Sequence, residues 1–123
     1  MNIALWVVQI LLALFFLMAG VVKATRPKEQ LATNMGWVED FDGSQVKGIG
    51  VLEILGAFGL VLPGLFGILP ILTPLAALGL ALTMIGAAIT HMRRNEYGYV
   101  VFNLIVMAFA LFVAYCRFVL LPL

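Results

Sequence analysis

The sequence predicts an all-α membrane protein, a four-transmembrane-helix bundle with a short interfacial segment between the first two spans. The first observation is composition, since 64% of the 123 residues are hydrophobic and only 11% are charged. A soluble domain has roughly a quarter of its residues charged. The second observation is that four apolar runs are long enough to cross about 30 Å of hydrocarbon as helices. These runs predict one integral membrane domain over residues 1–123.

The first span is predicted over residues 3–22. No Lys or Arg precedes it, whereas Lys23, Arg26 and Lys28 follow it. A signal peptide has the reverse order, with a basic segment before its apolar run. The run therefore predicts a retained transmembrane helix.

The connection over residues 23–47 is the only long polar one. Pro27 precedes a stretch that suits a short helix, because proline is favoured in the first turn. Trp37, Val38 and Phe41 then alternate with acidic residues. This alternation favours a segment lying on the membrane surface with its aromatic rings at headgroup level. An ordinary connecting loop is the alternative.

The remaining spans are predicted over residues 48–69, 72–90 and 97–121. Glycine and proline mark a short uncharged connection between the second and third spans. The first and third connections hold six of the seven Lys and Arg residues. The positive-inside rule then predicts that both connections are cytoplasmic and both termini outside. The membrane is expected to be a bacterial inner (plasma) membrane.

Composition also restricts the function. Cys116 is the only cysteine, which excludes an internal disulfide and a CxxC redox or zinc site. Basic residues occur in ones and twos, so no patch for nucleic acid is expected. No catalytic residue and no metal site is predicted. Electrons in any redox chemistry would be carried by another component.

Polar residues of the spans fall into two layers. The richer layer lies toward the two charged connections, within about six residues or roughly 9 Å of that side. A second layer lies near the opposite side. The first comprises Lys23, Glu53, His91 and Asn103, and the second Gln9 and Arg117.

Glu53 is the most informative of these residues, because its apolar span carries no other charge. An unpaired carboxylate in lipid costs roughly 2.5–3.5 kcal/mol on insertion scales. We therefore expect Lys23 or His91 within its reach. Two interpretations stay open: a buried pair that fixes helix register, or a carboxylate that handles protons or binds a ligand.

The other polar residues have alternatives too. His91 is interpreted as a hydrogen-bonding residue near the membrane surface rather than a base, and one histidine cannot supply a bis-His haem site. Arg117 is expected to pair with Gln9 or to snorkel, and anion or lipid-headgroup binding is the alternative. Small residues beside these side chains predict close helix packing. In the third span the predicted small-residue stripe is Ala76, Gly79, Thr83, Gly86 and Thr90.

The order of these features resembles the DoxX-like family of small four-helix membrane proteins. The residues that carry the resemblance are Ala19-Gly20-Val-Val-Lys23, the stretch from Gly48 through Glu53 to Pro63, Ile85-Gly86-Ala87 before His91, and Asn103 with Arg117. The family name comes from a membrane subunit associated with thiosulfate:quinone oxidoreduction. The resemblance implies the fold and points to Lys23, Glu53, His91 and Arg117, but it assigns none of them a catalytic role.

The sequence leaves two alternative functions open. The first is a non-catalytic accessory subunit of a membrane complex, with the bilayer and other subunits or a second copy as partners. The second is a binder of, or weak enzyme on, an apolar small molecule such as a quinone, sterol or isoprenoid. No cofactor is expected in the chain itself, and a quinone or lipid is the candidate occupant. A proton pathway is disfavoured, because about 14 mainly apolar residues, or about 20 Å, separate the two layers.

Overall fold

The computed structural model describes residues 2–32 and 35–123. Over these residues the chain is helical, and four helices are long and apolar enough to cross a membrane. The predicted fold class is thereby confirmed. The elements are α1 (Asn2–Thr25), α2 (Lys28–Ala32), a 3-10 helix (Gly36–Asp40), α3 (Gly43–Phe66), α4 (Leu72–Arg93) and α5 (Tyr97–Tyr115), which continues into a π-helical turn (Cys116–Leu120).

The helices extend further into the first connection than the hydropathy alone predicts. Helix α3 begins five residues before the predicted start, because Asp42 and Gln45 form a capping box at its N-terminus. The Gln45 Oε1 atom accepts a hydrogen bond from the Asp42 backbone N–H at 2.9 Å. The helix ends at Phe66 rather than at residue 69, since Gly67 has a φ of 65°, which reverses the chain direction.

Helix α1 packs against α3, α3 against α4, and α4 against α5. We call the end where α1 and α4 finish the loop end, and the other the opposite end. Near the loop end α1 and α3 approach at Gly20 and Gly50. A Cβ atom built on either glycine would lie 2.6 Å from the carbonyl oxygen of the other. The two backbones therefore touch, as small residues allow in membranes.

A proline in the last turn of α3 is accommodated by the neighbouring helix. Pro63 lacks an N–H group and cannot donate to the carbonyl of Gly59, four residues earlier. The hydroxyl of Thr73 on α4 donates to that carbonyl instead, at 3.1 Å. An unsatisfied carbonyl in lipid is costly, so this bond lets α3 continue to Phe66.

The predicted small-residue stripe of the third span is wrong for Gly79. This residue of α4 is exposed and a Cβ atom there would meet nothing within 4 Å, whereas Gly86 lines the space among the four long helices at the loop end. The buried face of α4 carries both small and large residues. Gly56 of α3 leaves room for the side chain of Leu80, and Gly59 leaves room for the Cβ atom of Ala76. The buried residues of α4 are Thr73, Pro74, Ala77, Leu80, Ala81, Met84, Ala88 and His91.

The segment between α1 and α3 folds onto the loop end of the bundle. Val38 of the 3-10 helix is fully buried and clusters with Leu31 and Val46. The predicted short helix after Pro27 is present as α2, and the next two residues, Thr33 and Asn34, lie outside the described residues. The buried valine fixes the 3-10 helix in place, so its neighbours face the interior between the spans.

Candidate functional site

A cavity of about 460 Å³ opens among the four long helices at the loop end. Its volume lies within the roughly 300–1,000 Å³ of small-molecule sites. All four members of the predicted loop-end layer line it, namely Lys23, Glu53, His91 and Asn103. One side chain from each long helix thus reaches a single space.

Glu53 is paired with Lys23. The Lys23 Nζ atom donates to Glu53 Oε1 at 2.5 Å, and the Glu53 side chain is 2% exposed. Each residue lies three positions after one glycine of the Gly20–Gly50 contact. Because α1 and α3 are antiparallel and side chains lean toward the N-terminus of their helix, the two side chains lean toward each other. The glycine contact therefore sets up the ion pair.

Lys23 consequently points into the bundle rather than toward the aqueous surface. Its ammonium also lies over the ring of Trp37, with 5.5 Å between the nitrogen and the ring centroid. A cation over an aromatic face is stabilised electrostatically. Glu53 itself lines the cavity, so an occupant can approach its carboxylate.

His91 bonds to a carboxylate other than Glu53. Its Nδ1 lies 3.0 Å from Glu96 Oε1, and its ring stacks on Tyr99 at 4.9 Å between centroids. Trp37 meets the same imidazole edge-on at 6.4 Å. The ring is therefore fixed in orientation by three neighbours.

Asn103 has no partner for its side-chain amide. The residue is 6% exposed, and its Nδ2 atom makes no hydrogen bond to any described part of the chain. Burying an amide without a partner costs free energy, about 1–3 kcal/mol by protein mutational data. Since Asn103 lines the cavity, its amide is directed to whatever fills that space.

Surface ion pairs hold the 3-10 helix over the cavity. Arg94 Nη1 lies 3.3 Å from both carboxylate oxygens of Asp40, and Arg94 Nε lies 3.4 Å from Glu96 Oε1. Gly36 leaves room for this guanidinium, because a Cβ atom there would lie 2.8 Å from Arg94 Nη2. Trp37 and Phe41 are thereby kept on the cavity wall.

The second predicted layer forms a separate cluster at the opposite end. Arg117 Nε donates to Gln9 Oε1 at 2.7 Å, and Gln9 Nε2 donates to the Leu60 carbonyl at 2.8 Å. Arg117 Nη1 donates to Asn2 Oδ1 at 2.7 Å and to the Leu121 carbonyl at 2.9 Å. The cluster thus ties α1, α3 and the end of α5 together without contributing to the cavity.

Sequence reasoning did not assign Trp37, Glu96 or Tyr99 to the site. Trp37 and Tyr99 carry the ordinary signal of aromatic residues near a membrane surface, which does not show which way their rings point. Glu96 lies five residues after His91 and just before α5. The turn between α4 and α5 brings these two side chains together, and this spacing was the signal in the sequence. Within residues 2–32 and 35–123, no group of three His, Cys, Asp or Glu residues is placed to hold a metal ion.

The site thus combines an apolar cavity, a buried ion pair, an oriented histidine and an unpartnered amide within four apolar helices. No curated protein and no solved structure matches the chain. The family model described as the DoxX-like family matches residues 7–113, which include α3 and α4 whole, most of α1 and α5, and every residue of both polar layers except Arg117. The chain therefore belongs to the DoxX-like family.

Proposed function

We propose that this membrane protein binds an apolar small molecule with an oxygen-bearing polar end in the loop-end cavity. The observation that carries the proposal is Asn103, whose buried amide faces the cavity with no partner in the described chain. A bound oxygen atom would accept from its Nδ2 and remove the cost of the unpaired group. Quinones, sterols and isoprenoid alcohols have this chemistry.

The walls of the cavity suit such a molecule. Phe15 of α1 and Phe102 of α5 meet edge-to-face, with 5.5 Å between ring centroids, and both line the space. Phe102 is also exposed on the outside of the bundle, where lipid chains lie. The apolar part of a ligand can therefore pack against the phenyl rings, while its polar end approaches Asn103 and Glu53.

Binding of matched probes tests the proposal. The protein in lipid nanodiscs would be titrated with a short-chain benzoquinone, an isoprenoid alcohol and a hydrocarbon of the same tail without oxygen. Trp37 on the cavity wall reports binding by its fluorescence in a Trp6→Phe background, where it is the only tryptophan. We expect an oxygen-bearing probe to bind about tenfold or more tightly than the hydrocarbon.

Substitution of the amide gives the matched comparison. Asn103→Leu keeps a side chain of similar length but removes the donor, so the preference for oxygen-bearing probes should disappear. Ile105→Val, on the lipid-facing side of the same helix, serves as the control and should bind like the parent. The proposal would be contradicted if the parent protein bound the hydrocarbon as tightly as the oxygen-bearing probes. It would also be contradicted if a folded Asn103→Leu variant kept the preference for oxygen-bearing probes.

The accessory-subunit expectation stays a prediction beside this one. Purification from the native membrane tests it, since a subunit would be recovered with larger partner chains. The orientation with both termini outside and the loop end cytoplasmic also stays a proposal, supported by six of the seven Lys and Arg residues.

A further inference from the structure

The most unusual charged group outside the cavity is the guanidinium of Arg117. The residue is 3% exposed and belongs to the π-helical turn that ends the fourth span. Its bonding partners are Gln9, Asn2 and the Leu121 carbonyl, all of them neutral. Buried charges in proteins are normally paired with a charge of opposite sign. Arg117 is not among the residues that line the loop-end cavity.

The opposite end of the bundle holds no acidic side chain that could pair with it. Every acidic residue of the chain lies in the first connection, in the loop-end half of α3 or just before α5. No ion pair joins Arg117 to a carboxylate anywhere in the described structure. The acidic residues are Glu29, Glu39, Asp40, Asp42, Glu53 and Glu96.

One nitrogen of the guanidinium is unused. Arg117 Nη2 is buried and has no hydrogen-bond partner in the part of the chain that the structure describes. The neighbouring Nη1 is bonded on one side to the carbonyl of Leu121, which lies just beyond the helix. If an anionic oxygen replaced that carbonyl, Nη1 and Nη2 together would present the two-pronged fork that binds phosphate or carboxylate.

Trp6 and the turn that follows α5 lie beside the guanidinium. Trp6 lies beside it, with 5.7 Å between Cζ and the ring centroid. Trp6 and Leu123 both pack onto Gly64, where a Cβ atom would lie 2.7 Å and 3.0 Å from them. The backbone N–H of Leu121 bonds to the Cys116 carbonyl at 2.7 Å, the wide spacing of a π-helix. Such turns are frequent at functional sites.

We propose that Arg117 is the core of a second binding site, which takes a phosphate-type oxyanion at the opposite end of the bundle. The oxyanion displaces the Leu121 carbonyl and bonds to Nη1 and Nη2, while Gln9 and Asn2 hold the guanidinium in place. The phosphate belongs to a lipid headgroup of the adjacent leaflet or to a free anion. This site is independent of the cavity at the loop end.

Trp6 provides the readout. In a Trp37→Phe background Trp6 is the only tryptophan, and its emission responds to changes around Arg117. The protein would be placed in galactolipid nanodiscs, which contain no phosphate, with or without phosphatidylglycerol. Inorganic phosphate would be titrated separately into the phosphate-free nanodiscs. A response to phosphatidylglycerol alone assigns a lipid headgroup, and a saturable response to inorganic phosphate assigns the free anion.

Two variants separate the site from general folding effects. Gln9→Glu supplies a carboxylate partner for Arg117 from the same position, so it should keep the fold and weaken phosphate binding by about tenfold or more. Arg117→Lys keeps the charge but loses the fork and should also bind more weakly. An unchanged Trp6 response in folded Gln9→Glu protein would overturn the proposal. So would the absence of any response to either phosphate source in the parent.

Discussion

Gly20 of α1 and Gly50 of α3 lie so close that neither position has room for a methyl group. A Cβ atom on either would be 2.6 Å from the backbone oxygen of the other. Lys23 and Glu53 follow three residues later on the two antiparallel helices and meet at the cavity. The contact between the two backbones therefore fixes the position of the buried Glu53 carboxylate.

Alanine at either glycine should separate the two helices. We expect Gly50→Ala to destabilise the protein by about 1–3 kcal/mol, because the added methyl group meets backbone atoms that cannot rotate away. The matched control is Gly79→Ala on the outer face of α4, where nothing lies within 4 Å. That change should be neutral or stabilising by about 0.5–1 kcal/mol, as expected for alanine in a helix. Unfolding in detergent measures both, and equal effects would contradict the close contact.

Removing one member of the Lys23–Glu53 pair should cost more than removing both. Lys23→Met leaves Glu53 buried without a cation, and we expect a loss of about 3–5 kcal/mol. The Lys23→Met, Glu53→Leu double variant leaves no buried charge and should recover most of that loss. A double-mutant cycle on unfolding free energies checks this. Additive losses from the single changes would mean that the two residues do not depend on each other.

The surface pair between Arg94 and Asp40 should matter much less for stability. Both partners are partly exposed and their atoms are 3.3 Å apart. An exposed pair is typically worth about 0–1 kcal/mol, so Asp40→Asn should change the unfolding free energy within that range. We expect the small effect to shrink further in high salt. A loss comparable to that of Lys23→Met would contradict the comparison.

Sequence reasoning located the layer that contains Lys23, Glu53, His91 and Asn103, because depth in a membrane follows from position along each helix. It did not decide between Lys23 and His91 as the partner of Glu53. That choice depends on the direct packing of α1 against α3 at the Gly20–Gly50 contact. The sequence of one helix does not show which other helix it packs against. The position of Gly79 on α4 was misassigned for a related reason. In lipid a small-residue stripe and a bulky one are equally apolar, so composition alone does not show which faces inward.

The amide of Asn103 should lower the stability of the unliganded protein. Asn103→Leu removes a buried donor that has no partner in the described chain, so we expect a gain of about 1–3 kcal/mol in the absence of ligand. Such a gain, together with lost binding, is the usual relation between stability and a functional site. Unfolding of delipidated protein measures the effect. A less stable Asn103→Leu variant would instead indicate that the amide holds a structural water.

The hydroxyl of Thr73 should contribute to stability because Pro63 removes the helical donor to the Gly59 carbonyl. Thr73→Val keeps the shape of the side chain but removes the donor to the Gly59 carbonyl, which the proline leaves free. We expect a loss of about 1–3 kcal/mol, the cost of an unsatisfied buried acceptor. In the Pro63→Ala background the backbone N–H at position 63 can donate to Gly59, so the same change should cost less. An equal cost in both backgrounds would show that the threonine acts independently of the proline.

The proposed orientation can be checked with single cysteines at the two ends of the bundle. Ser44→Cys lies at the start of α3 on the loop end, and Ile68→Cys lies in the turn at the opposite end; both positions are exposed. The native Cys116 is buried and should react slowly. Because Lys and Arg concentrate at the loop end, a membrane-impermeant maleimide should label Ile68→Cys in intact cells, whereas Ser44→Cys should react only after permeabilisation. The reverse pattern would place the termini and the Arg117 site on the cytoplasmic side.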